Sequence, residues 1–252
     1  MIGKCSRRAL AAAGLVALVA GGFGVRQLRA QEPDYAALLA TPDRSAADLQ
    51  ADKRRDPVPF LKFAGVRPGM KVLDMAAGAG YSTELMARAV APNGLVYGQN
   101  PPDLGEKAKT AFDARLQTPA MKDARADVRP FDDPIPPGVN DLDLITFLFY
   151  YHDTTYMKVD RAEMDRKMFA ALKPGGYLVI ADHSALAGQG TSVGKTLHRI
   201  EESTLRQEIE AAGFKLVAEA DFLRNPQDPH DVPIFKSQVP VDNFVLKYQK
   251  PL

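Results

Sequence analysis

The chain is poor in the groups on which several kinds of chemistry depend. Its only cysteine is Cys5, so the rest of the protein has neither disulfides nor a thiol nucleophile. Charge of one sign is also lacking. The formal net charge is +1, and five of the 32 Lys and Arg residues (Lys4, Arg7, Arg8, Arg26, Arg29) lie in the first thirty positions, with no acid among them. The remainder carries 27 basic against 31 acidic residues, a net of −4, which leaves no electrostatic footprint for nucleic acid. No internal repeat is present. No Gly-Lys-Ser/Thr follows the glycine turn near residue 80, which excludes a P-loop.

What is there suffices for one good-sized core: 252 residues, 46% of them hydrophobic. Residues 1–30 have a basic start, an apolar run from about Ala9 to Val25 and small residues before a possible cut after Ala30. That is the layout of an export signal. Ser6-Arg7-Arg8-Ala9-Leu10 resembles a twin-arginine signal, and an ordinary secretory signal fits equally. An uncleaved anchor is less favoured, because four glycines interrupt the run and it falls short of a span of roughly 20 apolar residues. Residues 31–68 read as an N-terminal helical extension, with one helix from Ser45 to Arg55 and another opened by Pro59. The charge run Asp52 to Asp56 reads as a solvated helix face, a lid over the ligand being the sharper alternative.

The rest, residues 69–252, is organised around Val72 to Gly80, VLDMAAGAG. An apolar β-type run ends in a carboxylate and a turn of Ala, Met and Gly, and YSTELMARAV then has helical spacing, with Ser82 or Thr83 as cap. Such a strand, turn and helix lets backbone N–H groups approach a nucleotide-type ligand. The dinucleotide pattern G-x-G-x-x-G finds Gly78 and Gly80 but has Thr83 in third place. Alone, the turn fits a ligand-free connection equally well.

Further strands are expected at Gly94–Asn100, Ala126–Val128, Asp141–Phe149, Tyr177–His183, Lys215–Ala220 and Asn243–Tyr248. Helices are expected at Lys107–Leu116, Met164–Leu172, around His198–Glu202 and at Thr204–Ala212. His198 and Glu202 would then pair at i,i+4. Asn225 to Pro240 reads as a surface loop with His230 solvated.

The D-x-A-x-G-x-G run, with Asp74, Ala76, Gly78 and Gly80, and Leu172-Lys173-Pro174-Gly175-Gly176 about 100 residues on, resemble class I S-adenosylmethionine-dependent methyltransferases. With Tyr151-His152-Asp153 and Ala181-Asp182-His183, residues 60–250 are similar to predicted bacterial methyltransferases that bear export signals. The resemblance implies an α/β, doubly wound, Rossmann-like sheet of seven strands, mostly parallel, with the last strand antiparallel. It puts S-adenosylmethionine at the tips of the first two strands, on Asp74, Ala76, Gly78 and Gly80. Asn100 stands where the family usually has an acid for the ribose hydroxyls, and Asp132 or Asp133 is the candidate for the adenine amino group. The catalytic candidates past the fourth and fifth strands are His152, His183 and Asp153, one histidine acting as base.

His152, His183 and His198 could also converge on a metal with Asp153, Asp182 or Glu202. No H-x-E-x-x-H-like spacing supports that, so no metal is assigned. The implied activity is methyl transfer to a small-molecule O- or N-nucleophile, with no nucleic-acid partner and membrane contact only through the export signal. The alternative is an exported binding or non-methylating protein on the same fold. S-adenosylmethionine is made in the cytoplasm, a periplasmic enzyme would face a supply problem, and Asn100 lacks the charge of the usual acid.

Overall fold

The computed structural model describes Met1 and residues 32–252, so the expected export signal lies outside the described residues apart from Met1. Three helices come first: α1 (Tyr35–Leu39), α2 (Ala46–Arg55) and α3 (Pro57–Ala64). The Ser45 hydroxyl caps α2 by accepting the Asp48 N–H at 3.1 Å. Asp56, in the left-handed region (φ 43°), breaks the chain before Pro57, whose fixed φ suits the first position of α3.

The sheet then alternates with helices: β1 (Lys71–Met75), α4 (Tyr81–Val90), β2 (Leu95–Asn100), α5 (Glu106–Leu116), β3 (Ala124–Val128), β4 (Leu142–Leu148), α6 (Tyr151–Thr154) and α7 (Arg161–Ala171). There follow β5 (Leu172–His183), α8 (Gly194–Leu197), α9 (Glu202–Ala211), β6 (Lys215–Ala220) and β7 (Asn243–Gln249). Strand order is β3-β2-β1-β4-β5-β7-β6, with β7 antiparallel to both neighbours and the other pairs parallel. This is the expected seven-stranded architecture. The order reverses between β1 and β4, where open α/β sheets bind their ligands.

Each strand feeds both faces of the sheet. Val72, Val96, Val179 and Val245 join Tyr35, Phe60, Leu61, Leu85 and Met86 on one side. Leu73, Ile145, Phe147 and Ile180 join Met164, Met168, Leu205 and Phe214 on the other. The N-terminal extension is thus part of the core: the Tyr35 hydroxyl donates to the Val66 carbonyl at 2.6 Å, and the Lys247 ammonium reaches the carbonyls of Phe63 and Ala64.

Four local expectations are corrected. Gly80 (φ 83°) is the N-cap of α4, and Ser82 and Thr83 turn their hydroxyls to Asp74 instead. Lys173 to Gly176 lie within β5 as an irregularity, because Leu142 pairs with Leu172 and Leu144 with Tyr177. His198 lies on no helix: it sits in the left-handed region (φ 55°) after α8, and Glu202 opens α9 and pairs with Arg206 and Arg224. His230 is half-buried near Asp242 rather than solvated. No helix among the described residues is long and apolar enough to cross a membrane.

Candidate active site

The glycine turn is closed by hydrogen bonds to the tip of β2. Gln99 accepts the Ala76 N–H on its side chain (3.1 Å) and the Ala77 N–H on its carbonyl (2.9 Å). The Asn100 amide makes a two-point bridge to one residue, accepting from the Gly78 N–H at 2.8 Å and donating to the Gly78 carbonyl at 3.1 Å. A carboxylate has no N–H and could make only the first of these bonds. Asn100 therefore clasps the turn in a way the usual acid could not.

Asp74 is 1% exposed and accepts three hydroxyls: Ser82 (2.8 Å), Thr83 (2.6 Å) and Thr146 (2.8 Å). Burial raises its pKa, and the three hydroxyls oppose that by favouring the carboxylate. Its carboxylate ties β1 to α4 and β4 beneath the turn. Ala76 stands at φ 54°, where glycine is at ease and alanine is strained by about 1 kcal/mol. A Cβ on Gly78 would meet nothing nearer than 4.0 Å, so the turn is open there. At Gly80 and Gly98 a Cβ would strike Phe112 at 2.5 and 2.6 Å, so these two glycines make the slot in which α5 packs.

A cavity of about 890 Å³ opens beside the tips of β4 and β5 and is bordered by Arg55, Phe149, His183, Arg224, Phe235 and Asn243. Arg55, from the end of α2, lays its guanidinium 4.7 Å from the Phe149 ring centre and 5.6 Å from that of Tyr81. Among the described residues no carboxylate lies within ion-pairing distance of it. Burial lowers its pKa. Asp52, on the same helix, is held by Arg44 (2.5 and 2.8 Å) and by the Tyr81 hydroxyl (2.6 Å). The reading of residues 52–56 as solvated thus fails for Asp52 and Arg55, which are half-buried, and holds for Lys53, Arg54 and Asp56, which are exposed, although all five border the cavity.

His183 stacks on Phe149 with ring centres 5.3 Å apart, and its Nδ1 meets the Asn243 Oδ1 at 2.5 Å. The Asn243 amide nitrogen donates to the Val241 carbonyl at 2.9 Å, so its oxygen is the end that faces His183. Nδ1 therefore carries the proton, and Nε2 is left with a lone pair and no partner among the described residues. Burial pushes the His183 pKa down to about 4, with the charge of His152 adding to the effect, so the ring is neutral near pH 7.

His152 is 2% exposed, with Nδ1 2.7 Å from Asp182 and Nε2 3.0 Å from Asp153. Burial works against its charge, but the two carboxylates win and raise its pKa to about 10. With both nitrogens engaged and the ring cationic, His152 is not built to be a general base. Asp153 shares its Oδ1 with His152, His198 (2.9 Å) and the Tyr156 hydroxyl (2.7 Å). The three histidines do converge: the ring of His152 lies 5.3 Å from that of His183 and 5.5 Å from that of His198.

Asp133 is engaged by Arg129 and Lys167 at the surface, away from a ligand role, while Asp132 is half-buried in the turn after β3. Two residues that sequence reasoning passed over belong to the site region, Asn243 and Asp127, whereas Arg55 lies in the run for which a lid was the sharper alternative. Asp127 lies in register with Gln99 and has a buried Oδ2 with no partner among the described residues. A strand alternation extended from Asn100 to its neighbour would have marked Asp127, but nothing local marks Asn243.

The family description protein-L-isoaspartate(D-aspartate) O-methyltransferase matches residues 58–119, which span α3 to α5 and include the glycine turn. The ubiquinone/menaquinone biosynthesis C-methyltransferase UbiE of Burkholderia multivorans is 35% identical over 123 residues, 48% of this chain and 46% of that protein. The chain spans about half the length of the curated relatives it matches. A SAM-dependent methyltransferase from Aquifex aeolicus superposes with a TM-score of 0.58 at 19% identity, over 86% of this chain and 98% of that one. The [4+2]-cyclase SpnF superposes with a TM-score of 0.59 at 15% identity, over 82% of each chain.

Proposed function

We propose that the chain is a class I S-adenosylmethionine-dependent methyltransferase, as its matches to methyltransferases in sequence and fold support, and that it methylates a small molecule held in the cavity between the strand tips and α2. The family's cofactor fits the residues present. The turn is open at Gly78 and the orphaned Asp127 oxygen offers an acceptor at the β2–β3 edge. The unpaired Arg55 guanidinium calls for an anion. Residues 76–80, Gln99 and Asp127 would hold the cofactor, with Arg55 toward its carboxylate or that of the acceptor. When bound, S-adenosylmethionine supplies a methyl group on a sulfonium, open to in-line displacement.

The chain's own part is to hold and align the acceptor in a dry site. The single observation that carries the reading is His183: neutral, fixed in one tautomer by Asn243, with Nε2 free beside the cavity. It accepts a hydrogen bond from the acceptor's O–H or N–H and so turns the nucleophile's lone pair outward. Its low basicity suits a proton that leaves readily, as from a phenol, rather than that of an aliphatic alcohol. A ring carbon activated by such a phenol is a second acceptor type, favoured by the matches to a C-methyltransferase. The reading without methylation keeps one observation in its favour, the Asn100 amide spent on Gly78.

The test is calorimetric titration of S-adenosylmethionine into the full-length protein. Micromolar binding, about −8 kcal/mol, is expected, with a loss of at least tenfold in Gly78→Ala and in Arg55→Met. A folded protein that binds no S-adenosylmethionine overturns the proposal. Binding with no turnover of any phenolic, amine or quinol-type acceptor favours the non-methylating alternative.

A further inference from the structure

We propose that His152, Asp153 and His198 form a binding site for one divalent transition-metal ion behind the cavity wall, where the His198 ring packs on Phe235. The inference does not depend on methyl transfer. Three potential ligand atoms meet there: His152 Nε2 and Asp153 Oδ1 are 3.0 Å apart, and Asp153 Oδ1 and His198 Nδ1 are 2.9 Å apart. Metal–ligand bonds of roughly 2.0–2.2 Å put neighbouring ligand atoms roughly 3.0–3.5 Å apart, so these edges already lie close to coordination spacing.

The fold delivers the three by construction. His152 and Asp153 are consecutive in α6, directly after β4. His198 directly follows α8, which docks on α6 through Gly194, where a Cβ would meet the Thr155 hydroxyl and the His152 carbonyl. The pairing of Ile200 with Ser184 then fixes the chain after His198, which is held in the left-handed region.

The surroundings have the features of a metal site as well. Asp182, fully buried, receives the backbone N–H groups of His152 and His183 and faces His152 Nδ1 at 2.7 Å. A metal would displace the Nε2 proton of His152, and a carboxylate on the far nitrogen then fixes the ring's tautomer and points the freed lone pair at the metal. The single oxygen Asp153 Oδ1 meanwhile faces three hydrogen-bond donors, from His152, His198 and Tyr156. One cation at that point replaces the crowd. The side chains are 2%, 14% and 28% exposed, so the site is shut on the His152 side and open on the His198 side, toward Phe235, which borders the cavity. Two imidazoles and one carboxylate favour Zn²⁺, Fe²⁺ or Co²⁺ over Mg²⁺ and Ca²⁺. Three protein ligands leave at least one position for water or for an oxygen or nitrogen of a small molecule.

The test uses full-length protein stripped with a chelator and titrated with Zn²⁺ by calorimetry and with Co²⁺ by visible absorption. One equivalent is expected, with the d–d bands of four- or five-coordinate Co²⁺. His198→Asn, which tolerates the left-handed backbone, and Asp153→Asn should each weaken binding at least 100-fold. Asp182→Asn should weaken it about tenfold by releasing the His152 ring. His230→Asn, whose ring contacts Asp242 and none of the three ligands, should leave it unchanged. Melting curves establish that each variant is folded. Absence of binding to the folded wild-type protein, unchanged affinity in His198→Asn, or a loss that follows His230 instead, each overturns the proposal.

Discussion

Asp165 has too few protons around it to stay ionised. The Tyr151 hydroxyl lies 2.9 Å from Asp165 Oδ2 and 2.8 Å from Glu208 Oε2, yet it has one hydrogen to give. Glu208 is paired with Arg161, whereas the second oxygen of Asp165 is buried with no partner among the described residues. The arrangement closes if Asp165 keeps its own proton and gives it to Tyr151, which gives its hydrogen to Glu208. Burial accordingly pushes the Asp165 pKa from 3.8 up to about 7. The folded state then holds a proton between about pH 4 and 7 that the unfolded chain has released. Stability from this residue is full below that window, falls as pH rises through it, and stays low above. The slope approaches 1.4 kcal/mol per pH unit. Asp165→Asn stays neutral throughout and is expected to flatten it. Melts of both proteins at pH 5 and pH 8 decide: parallel losses in the two would mean that Asp165 is ionised at pH 5. None of this was legible in the sequence, where Asp165 is one acid on a helix and its two partners stand 14 and 43 residues away.

Among the elements, α2 is the one whose role the sequence hid. Its faces are ordinary helical arithmetic: Asp48, Asp52 and Arg55 share one side at spacings of four and three. The partners that turn this side inward are distant in the chain. Arg115 of α5 bridges Asp48 (2.8 Å) and Glu84 (2.5 Å) and donates to the Ala79 carbonyl at 2.9 Å, so one guanidinium links α2, α4 and the glycine turn. Removing it leaves Asp48 as a nearly buried charge without its strongest partner, while Glu84 retains Arg88. Arg115→Met is expected to cost about 3 kcal/mol and to loosen α2 where Arg55 emerges. Protease cleavage after Lys53, Arg54 or Arg55 should accelerate, and S-adenosylmethionine affinity should fall with it. Stability lost with no change in cleavage or affinity would reduce Arg115 to a local brace. By contrast, the strands were legible, since buried parallel strands are short apolar runs and each lies within a few residues of its expected place. The stretch after α8 was not, because the departure of His198 from helix depends on its contact with Asp153, 45 residues away.

At the scale of the whole molecule, two patterns about 100 residues apart sufficed for the architecture through the family they resemble, whereas the place of β7 between β5 and β6 was not legible, because doubly wound sheets come in more than one strand order. Location is a different matter. We propose that the protein is exported, on the strength of the five positive charges and the apolar run in its first thirty residues. The route bears on function. A twin-arginine signal would carry a folded domain across with one cofactor already in the site, whereas secretion of an unfolded chain would leave it behind. Arg7→Lys together with Arg8→Lys should therefore trap the protein in the cytoplasm if the first route holds and leave export intact if the second does. Cell fractionation reads the result, and cytoplasmic wild-type protein would overturn export altogether. The cofactor content of the exported protein is an independent reading of the same question. Protein taken from the exported fraction is expected to retain S-adenosylmethionine or its demethylated product on the twin-arginine route, and neither on the other.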